Sequence, residues 1–334
     1  MKFATIVHRG QPACVVLMGD GGLSPLSTIR PELNRIEDVL LLDERALRSV
    51  ELAASAGGGL FSVHSVQLMA PVPDPPQMLF VALNNSGLDR DLVYRPDFPA
   101  YFPKLPSALN GHGQPINLYP HYGLTHPEAE LGIVIGRGGH HIPLDSALEH
   151  VFGYTVVNDV TSVGMRKEDA IFGKQLMPTA DGAMNYKEEH FLYQGRYKNA
   201  DGFAPMGPFL VHKSHIADPM KLKVKAWIDE ELVADDDTSS YHFTVAEVIS
   251  WISHHSTLRT GDIISLGTAL NPAGEMKPLS YGNLNQRGDV VTVEIEGVGT
   301  LSNPVRRLPM ADPREHFSSH KRFRSRLAIE RRDS

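Results

Sequence analysis

Apolar and polar positions recur along this chain with periods that change from stretch to stretch. Phe3 to His8 and Ala13 to Met18 read as a hairpin across Arg9-Gly10-Gln11-Pro12. Ile36 to Ala54 has a helical pattern that stops before Gly57-Gly58-Gly59, and Leu60 to Met69 reads as another strand. The run Ala70-Pro-Val-Pro-Asp-Pro-Pro76 is a stiff connection. Met78 to Leu83 opens a larger unit. Residues 128 to 135 form a short, largely apolar strand, and Gly153-Tyr-Thr-Val-Val runs into Asn158-Asp159 as a second. Further on, Val224 to Ile228 and Leu232-Val233 bracket a hairpin, and Val245 to His255 reads as a helix. Val291, Val293 and Ile295 alternate with Thr292, Glu294 and Glu296, the mark of a half-buried strand. Residues 167 to 195 form a long polar excursion, expected to cover a site or an oligomer contact. The chain thus divides into a small N-terminal α/β module (1–72), a main domain (73–305) and a basic tail (306–334).

The strand at 128–135 carries the first candidate chemistry. Residues two apart in a strand share a face, so Glu128 and Glu130 project side by side. At ~5 Å and an effective dielectric of about 20 their repulsion is roughly 3 kcal/mol. Desolvation beside Leu131, Ile133 and Ile135 adds to that cost. Either the pair faces water on an edge strand, with Asp159 opening a turn, or a cation sits between them. In the second case Asp159 closes the neighbouring strand as a third oxygen donor, and three such donors suit a hard divalent ion. Spacing alone leaves both readings open. Asp235-Asp-Asp237 is expected to be a solvated turn, and His140-His141 an exposed one.

Composition narrows the setting. The 334 residues allow one large domain or two smaller ones, and a net charge of −7 gives no general attraction to nucleic acid or anionic membranes. The lone cysteine, Cys14, excludes an intrachain disulfide and reads as buried filler. No stretch is apolar for long enough to span a bilayer, and no signal-peptide core is visible. A cytoplasmic protein without a membrane or nucleic-acid partner is expected, its basic tail being a solvated charge run.

Several segments together resemble the fumarylacetoacetate hydrolase superfamily. They are the Glu128-Ala-Glu130 strand, Asn158-Asp159, Phe102-Pro-Lys104-Leu-Pro-Ser107, Lys198 before Phe203-Ala-Pro-Met-Gly-Pro208, Gly261-Asp262, Gly267-Thr268, and Gly288 to Pro304. The resemblance covers roughly residues 75 to 305. It implies an α+β, β-rich fold with a rolled mixed β-sheet core, and a homodimer. Glu128, Glu130 and Asp159 would then hold Mg2+ (or Mn2+, Ca2+). Lys198 would be a catalytic lysine lining the site. Lys104, Ser107, Gly267, Thr268 and a guanidinium from Arg166 would bind a small 2-oxo or 2,4-dioxo acid. The implied activity is metal-dependent hydrolysis of a carbon–carbon bond in an acylpyruvate-type substrate. One departure bears on that activity. Where the family carries a His and, three residues later, a Glu that together activate water, this chain has Leu88 and Asp91. Leucine takes no proton, so the candidate base is Asp91 or a His brought in by residues 167–195 or their flanks. Isomerisation, decarboxylation or hydration in the same pocket, or metabolite binding without turnover, are the alternatives. The usual Arg after Asn-Asp is replaced by Thr161-Ser162, and the usual Pro after Thr268 is Ala269.

Overall fold

The computed structural model describes residues 1–270 and 282–313, and only the backbone of Arg90 and Asp91. The expectation for the tail falls, beyond Pro313, outside the described residues. In chain order the N-terminal stretch contains β1 (Lys2–His8), β2 (Gln11–Leu17), β3 (Leu23–Pro25), α1 (Ile36–Leu40) and α2 (Glu44–Ala56). The central stretch begins with β4 (Met78–Ala82), β5 (Ala100–Pro103), β6 (Leu109–Asn110), β7 (Ile116–Leu118) and β8 (Thr125–His126). It continues through β9 (Ala129–Ile135), β10 (Val151–Asn158), β11 (Thr161–Ser162) and α3 (Val163–Glu168). The remainder is β12 (Ala170–Pro178), β13 (Met184–Leu192), α4 (Arg196–Asn199), β14 (Ala204–His212), β15 (Lys223–Ile228), β16 (Glu231–Asp237), α5 (Val245–Ser253), β17 (Ile263–Thr268), β18 (Val290–Ile295) and β19 (Gly299–Arg307).

The expected α+β, strand-rich architecture is present. Two large mixed sheets carry it, one ordered β3-β2-β1-β14-β10-β9-β17-β4-β5 with β6 beside β14, the other β16-β15-β18-β19-β7. Most pairs are antiparallel, while β17–β4, β19–β7 and β14–β6 are parallel. Every residue of β9 and β10 is buried, so these strands read as continuous apolar runs because both faces are covered. On one face Leu131, Ile133 and Ile135 pack with Val224, Val293, Val248 and Ile252 of the second sheet and α5. On the other, Val134 packs with Phe3, Phe80, Phe102 and α2. Close approach needs glycine at 153, where a Cβ would lie 2.2 Å from the Val211 carbonyl oxygen. No helix among the described residues is long and apolar enough to cross a membrane.

The N-terminal stretch joins the main sheet through β1, whose Phe3 pairs with Leu210 of β14. Three local expectations are corrected. The helix expected over Ile36 to Ala54 is broken at Leu41–Asp43. There the Asp43 carboxylate accepts from the Ala46 N–H at 2.7 Å and caps a new helix. Leu60 to Met69 is not a strand. Ser62 accepts from the His64 N–H and turns the chain into a 3-10 segment, leaving single bridges at Phe61 and Leu68. The helix expected to reach His255 ends at Ser253, with His254 as its C-cap. Because Phe3 is fully buried in a core shared with Phe80 and Phe102, Phe3→Ala should cost about 3–5 kcal/mol. Denaturant unfolding followed by tryptophan fluorescence and circular dichroism should shift as one transition, with no N-terminal step of its own.

Candidate active site

The neighbouring strands β10, β9 and β17 end together at the site. In register, Glu130 lies opposite Val157 on one side and Thr268 on the other. Glu128 comes just before β9, not inside it as the apolar run predicts. Its backbone is fixed by the Asn158 side-chain oxygen on its N–H, 3.0 Å, and by the Asp159 N–H on its carbonyl, 2.9 Å. The three carboxylates then meet, with one oxygen from each of Glu128, Glu130 and Asp159 within 4.8 Å of the others.

Two ammonium groups partly offset the charge of this cluster. Lys198, on the short α4, donates to Glu128 at 2.9 Å and also to Asp159. Lys104, whose side chain is 0 % exposed, pairs with the other Asp159 oxygen and donates to the Phe203 carbonyl at 2.6 Å. Each ammonium also sits 5.1 Å from an aromatic ring centroid, Phe102 under Lys198 and Phe80 under Lys104. Burial pushes Lys104 down despite Asp159. Burial opposes the charge of Lys198 as well, but Asp159 and Glu128 outweigh it and hold the ammonium above its ordinary range. Burial would raise Glu128, yet Lys198 and His126 bring it down to about 2. Glu130 has no such partner. Burial, then Asp159 and Glu128, drive it well above the usual carboxyl range.

Hydroxyl groups complete the shell. Thr161 donates to Glu128 at 3.0 Å, and Ser265 to Glu130 at 2.5 Å, where the Gly267 N–H also arrives at 3.2 Å. Gly267 has φ +113°, and a Cβ there would lie 2.9 Å from Asn84 Cβ, so the turn that aims this N–H requires glycine. His126 is buried with Nδ1 3.7 Å from Glu128, and burial lowers its proton affinity. The following loop is fastened to the same strand. Asn84 donates to the Leu266 carbonyl at 2.8 Å, and Asn85 donates to the Thr268 carbonyl at 3.0 Å and to Asp236 at 2.9 Å.

The three oxygens suit a hard divalent ion. Ligand distances of about 2.1 Å place donors roughly 3 to 4.2 Å apart, so the cluster needs only a slight contraction. Each carboxylate has two oxygens, which leaves lone pairs for both an ion and the ammonium groups.

Of the residues singled out from sequence, the structure brings together Glu128, Glu130, Asp159, Lys104, Lys198, Gly267 and Thr268. Ser107 is exposed in the turn Pro106–Ala108, where its carbonyl accepts from the Gly202 N–H. Arg166 is exposed on α3, near enough to depress His126. Asp91 ends the 3-10 turn Ser86–Asp91, and its side chain lies outside the described residues. Sequence reasoning missed Thr161, Ser265, His126 and Asn85. For Ser265, polarity within the apolar run Ile263–Leu266 was an available signal. It also took Asp236 for a solvated turn residue. Asp236 is buried and accepts from Asn85, the Leu270 N–H and Ser240.

The family model for the fumarylacetoacetate (FAA) hydrolase C-terminal region matches residues 81–306. The chain is 33% identical over 261 residues to the oxaloacetate tautomerase YisK of Bacillus subtilis, covering 75% of this chain and 76% of that protein. It is 30% identical over 292 residues to the mitochondrial oxaloacetate tautomerase fahd2 of Xenopus laevis, covering 86% and 84%. Among solved structures, fumarylacetoacetate hydrolase from Exiguobacterium antarcticum superposes with a TM-score of 0.68 at 27% identity, covering 92% of this chain and all of that one.

Because burial, Asp159 and Glu128 raise Glu130 above the usual carboxyl range while a metal ligand must be ionised, Mn2+ binding should be coupled to proton release. Affinity should rise with pH between the ordinary carboxyl range and Glu130's elevated value. Titration calorimetry in buffers of different ionisation enthalpy measures both. Ser265→Ala should weaken that binding by about 10–100-fold, the usual effect of removing a group that orients a ligand.

Proposed function

The chain belongs to the fumarylacetoacetate hydrolase family, and we propose that within it this protein is a divalent-metal-dependent tautomerase of a short 2-oxo dicarboxylic acid, with oxaloacetate the first candidate. The observation that carries this reading is a half-buried Leu88 where the family resemblance sets the His of the water-activating dyad, in a chain that keeps the carboxylates and ammonium groups. Hydrolysis needs a water made nucleophilic by a base. Keto–enol interconversion needs only a proton taken from C3 and one delivered to oxygen, which a single carboxylate can relay. The names of the Bacillus and Xenopus relatives support the same reading.

An Mg2+ or Mn2+ ion held by Glu128, Glu130 and Asp159 supplies Lewis-acid polarisation of the 2-oxo group. Lys198 stays charged, so it acts as a fixed positive group beside the oxygen that becomes negative. Lys104 holds the far side of Asp159 and fixes its orientation. With a divalent ion, the three carboxylates and two ammonium groups leave one net positive charge, which favours an anionic substrate. Thr268 is buried, with its hydroxyl donating to the Ala269 carbonyl at 3.1 Å, and is assigned to a substrate carboxylate. Arg166 offers its guanidinium to the distal carboxylate from the exposed side of α3. Asp91 is assigned the C3 proton. Its backbone ends the turn that Asn84 and Asn85 fasten to Leu266 and Thr268. Hydrolysis of an acylpyruvate-type 2,4-dioxo acid is the second reading. The likeness to the Exiguobacterium hydrolase favours it, but it needs a water-activating group other than residue 88.

The test follows decay of enol oxaloacetate by ultraviolet absorbance in metal-stripped protein, with and without Mn2+, and identifies products by mass. Metal-dependent acceleration with no change in mass is expected. Lys198→Met should lower kcat/KM by about 100–1,000-fold, the scale of losing one stabilising group from the transition state. Asp91→Asn should lower kcat with little change in KM. Background rates with oxaloacetate, together with fragments from an acylpyruvate, would overturn the tautomerase in favour of the hydrolase.

A further inference from the structure

Four exposed histidines gather on the surface at the far end of β9 from the carboxylates. His140 and His141 lie in the turn that follows β9, while His254 caps α5 and His255 follows it. The Nδ1 atoms of His141 and His254 face each other 2.8 Å apart. The His140 ring centroid is 3.8 Å from that of His141, and His255 packs on Trp251 at 4.8 Å. At about 3.4 Å per residue, β9 alone separates Glu130 from Ile135 by roughly 17 Å. The two groups of candidate ligands are therefore independent.

The backbone holds the facing pair in place. The His141 N–H donates to the Ser253 carbonyl at 3.0 Å, the Ile142 N–H to Ser253 Oγ at 2.8 Å, and Ser250 Oγ to the Ile142 carbonyl at 2.8 Å. His141 has φ +53°, a left-handed conformation that residues other than glycine seldom adopt. Strain of this kind persists where the surrounding structure fixes a side chain's aim. Desolvation, then His140, His254 and His255, lower the proton affinity of His141, which keeps its ring neutral and able to coordinate at neutral pH.

We propose that His141 and His254 are two ligands of a surface site for a divalent transition-metal ion of the copper or nickel type, separate from the carboxylate centre. Imidazole nitrogen suits these ions. At metal–nitrogen bonds of about 2.0 Å, donors at a right angle lie about 2.8 Å apart and tetrahedral donors about 3.3 Å. The observed separation is the right-angle one, which favours a square-planar or tetragonal ion over Zn2+. Among the described residues only the carboxylates already bring three donors together, so this site is two fixed imidazoles with open positions. Those positions go to water or to the neighbouring imidazoles. His255 Nδ1 lies 3.1 Å from the Trp251 carbonyl, and a proton on that nitrogen leaves Nε2 as the free donor. An ion held here clips the turn after β9 to α5, the helix whose Val248 and Ile252 pack with Leu131 and Ile133. The site does not depend on the reaction catalysed. A plain N–H···N bond between two neutral rings gives the same distance, and copper binding separates the two.

The test is a Cu2+ titration of the full chain followed by electron paramagnetic resonance, in which imidazole nitrogen splits the copper signal and carboxylate oxygen does not. Wild type should show a nitrogen-split signal that saturates at one ion per chain, whether or not a second ion enters the carboxylate centre. His254→Gln and His141→Asn, the latter compatible with the left-handed backbone, should each weaken that ion at least tenfold against a competing chelator. Circular dichroism should not change, since both side chains are exposed. Glu130→Gln should leave the nitrogen-split signal intact. Absence of that signal in wild type would overturn the proposal and leave only the hydrogen bond. A signal that survives either histidine substitution assigns the copper to other histidines, and one lost with Glu130→Gln assigns it to the carboxylate centre. Both results overturn it equally.

Discussion

Asp159 lies between two ammonium groups inside a protein core, and the rest of the structure is arranged around that contact. Carboxylates taken out of water carry a desolvation cost of several kcal/mol each, and three converge here. Lys104 and Lys198 offset it, each with a ring beneath it and its charge shared between named oxygens. Neither lysine is near Asp159 in sequence. Lys104 arrives on the loop after β5, and Lys198 on α4 after the long ribbon. Their positions hold only because β9, β10 and β17 form a rigid floor buried on both faces. Glu130, lacking an ammonium of its own, is left in want of a cation, and that imbalance is what makes the cluster a binding site.

Much of this was legible in the sequence where the physics is local. The period of two raised Glu128 and Glu130 as neighbours, although Glu128 lies just before β9, and the family resemblance singled out Asp159 as the third carboxylate. Local patterns failed where a short polar contact overrides periodicity, as when Asp43 caps a new helix or Ser62 turns the chain. They also failed where a residue's role depends on distant partners. Lys104 reads equally well as a surface lysine until Asp159 is seen beside it. Asp236 sits in a run of three aspartates, yet it is a buried joint binding Asn85, Leu270 and the β16 end together. Nothing in its neighbours along the chain announces that.

The loop after β4 links this framework to chemistry. Asn84 and Asn85 fasten it to the strand end that also carries Gly267 and Thr268, which fixes where the turn of residues 86–91 begins. On the proposed reading, the carboxylates and ammonium groups gather an anionic 2-oxo acid and stabilise charge on its oxygen, and Leu88 in place of an imidazole favours moving a proton over breaking a carbon–carbon bond.

Solvent-deuterium incorporation at C3 of oxaloacetate, followed by proton NMR in the presence and absence of Mn2+, tests that claim most directly. The account predicts exchange faster than the uncatalysed rate, dependent on the ion, with the carbon skeleton intact. Exchange no faster than background with the ion bound would contradict it.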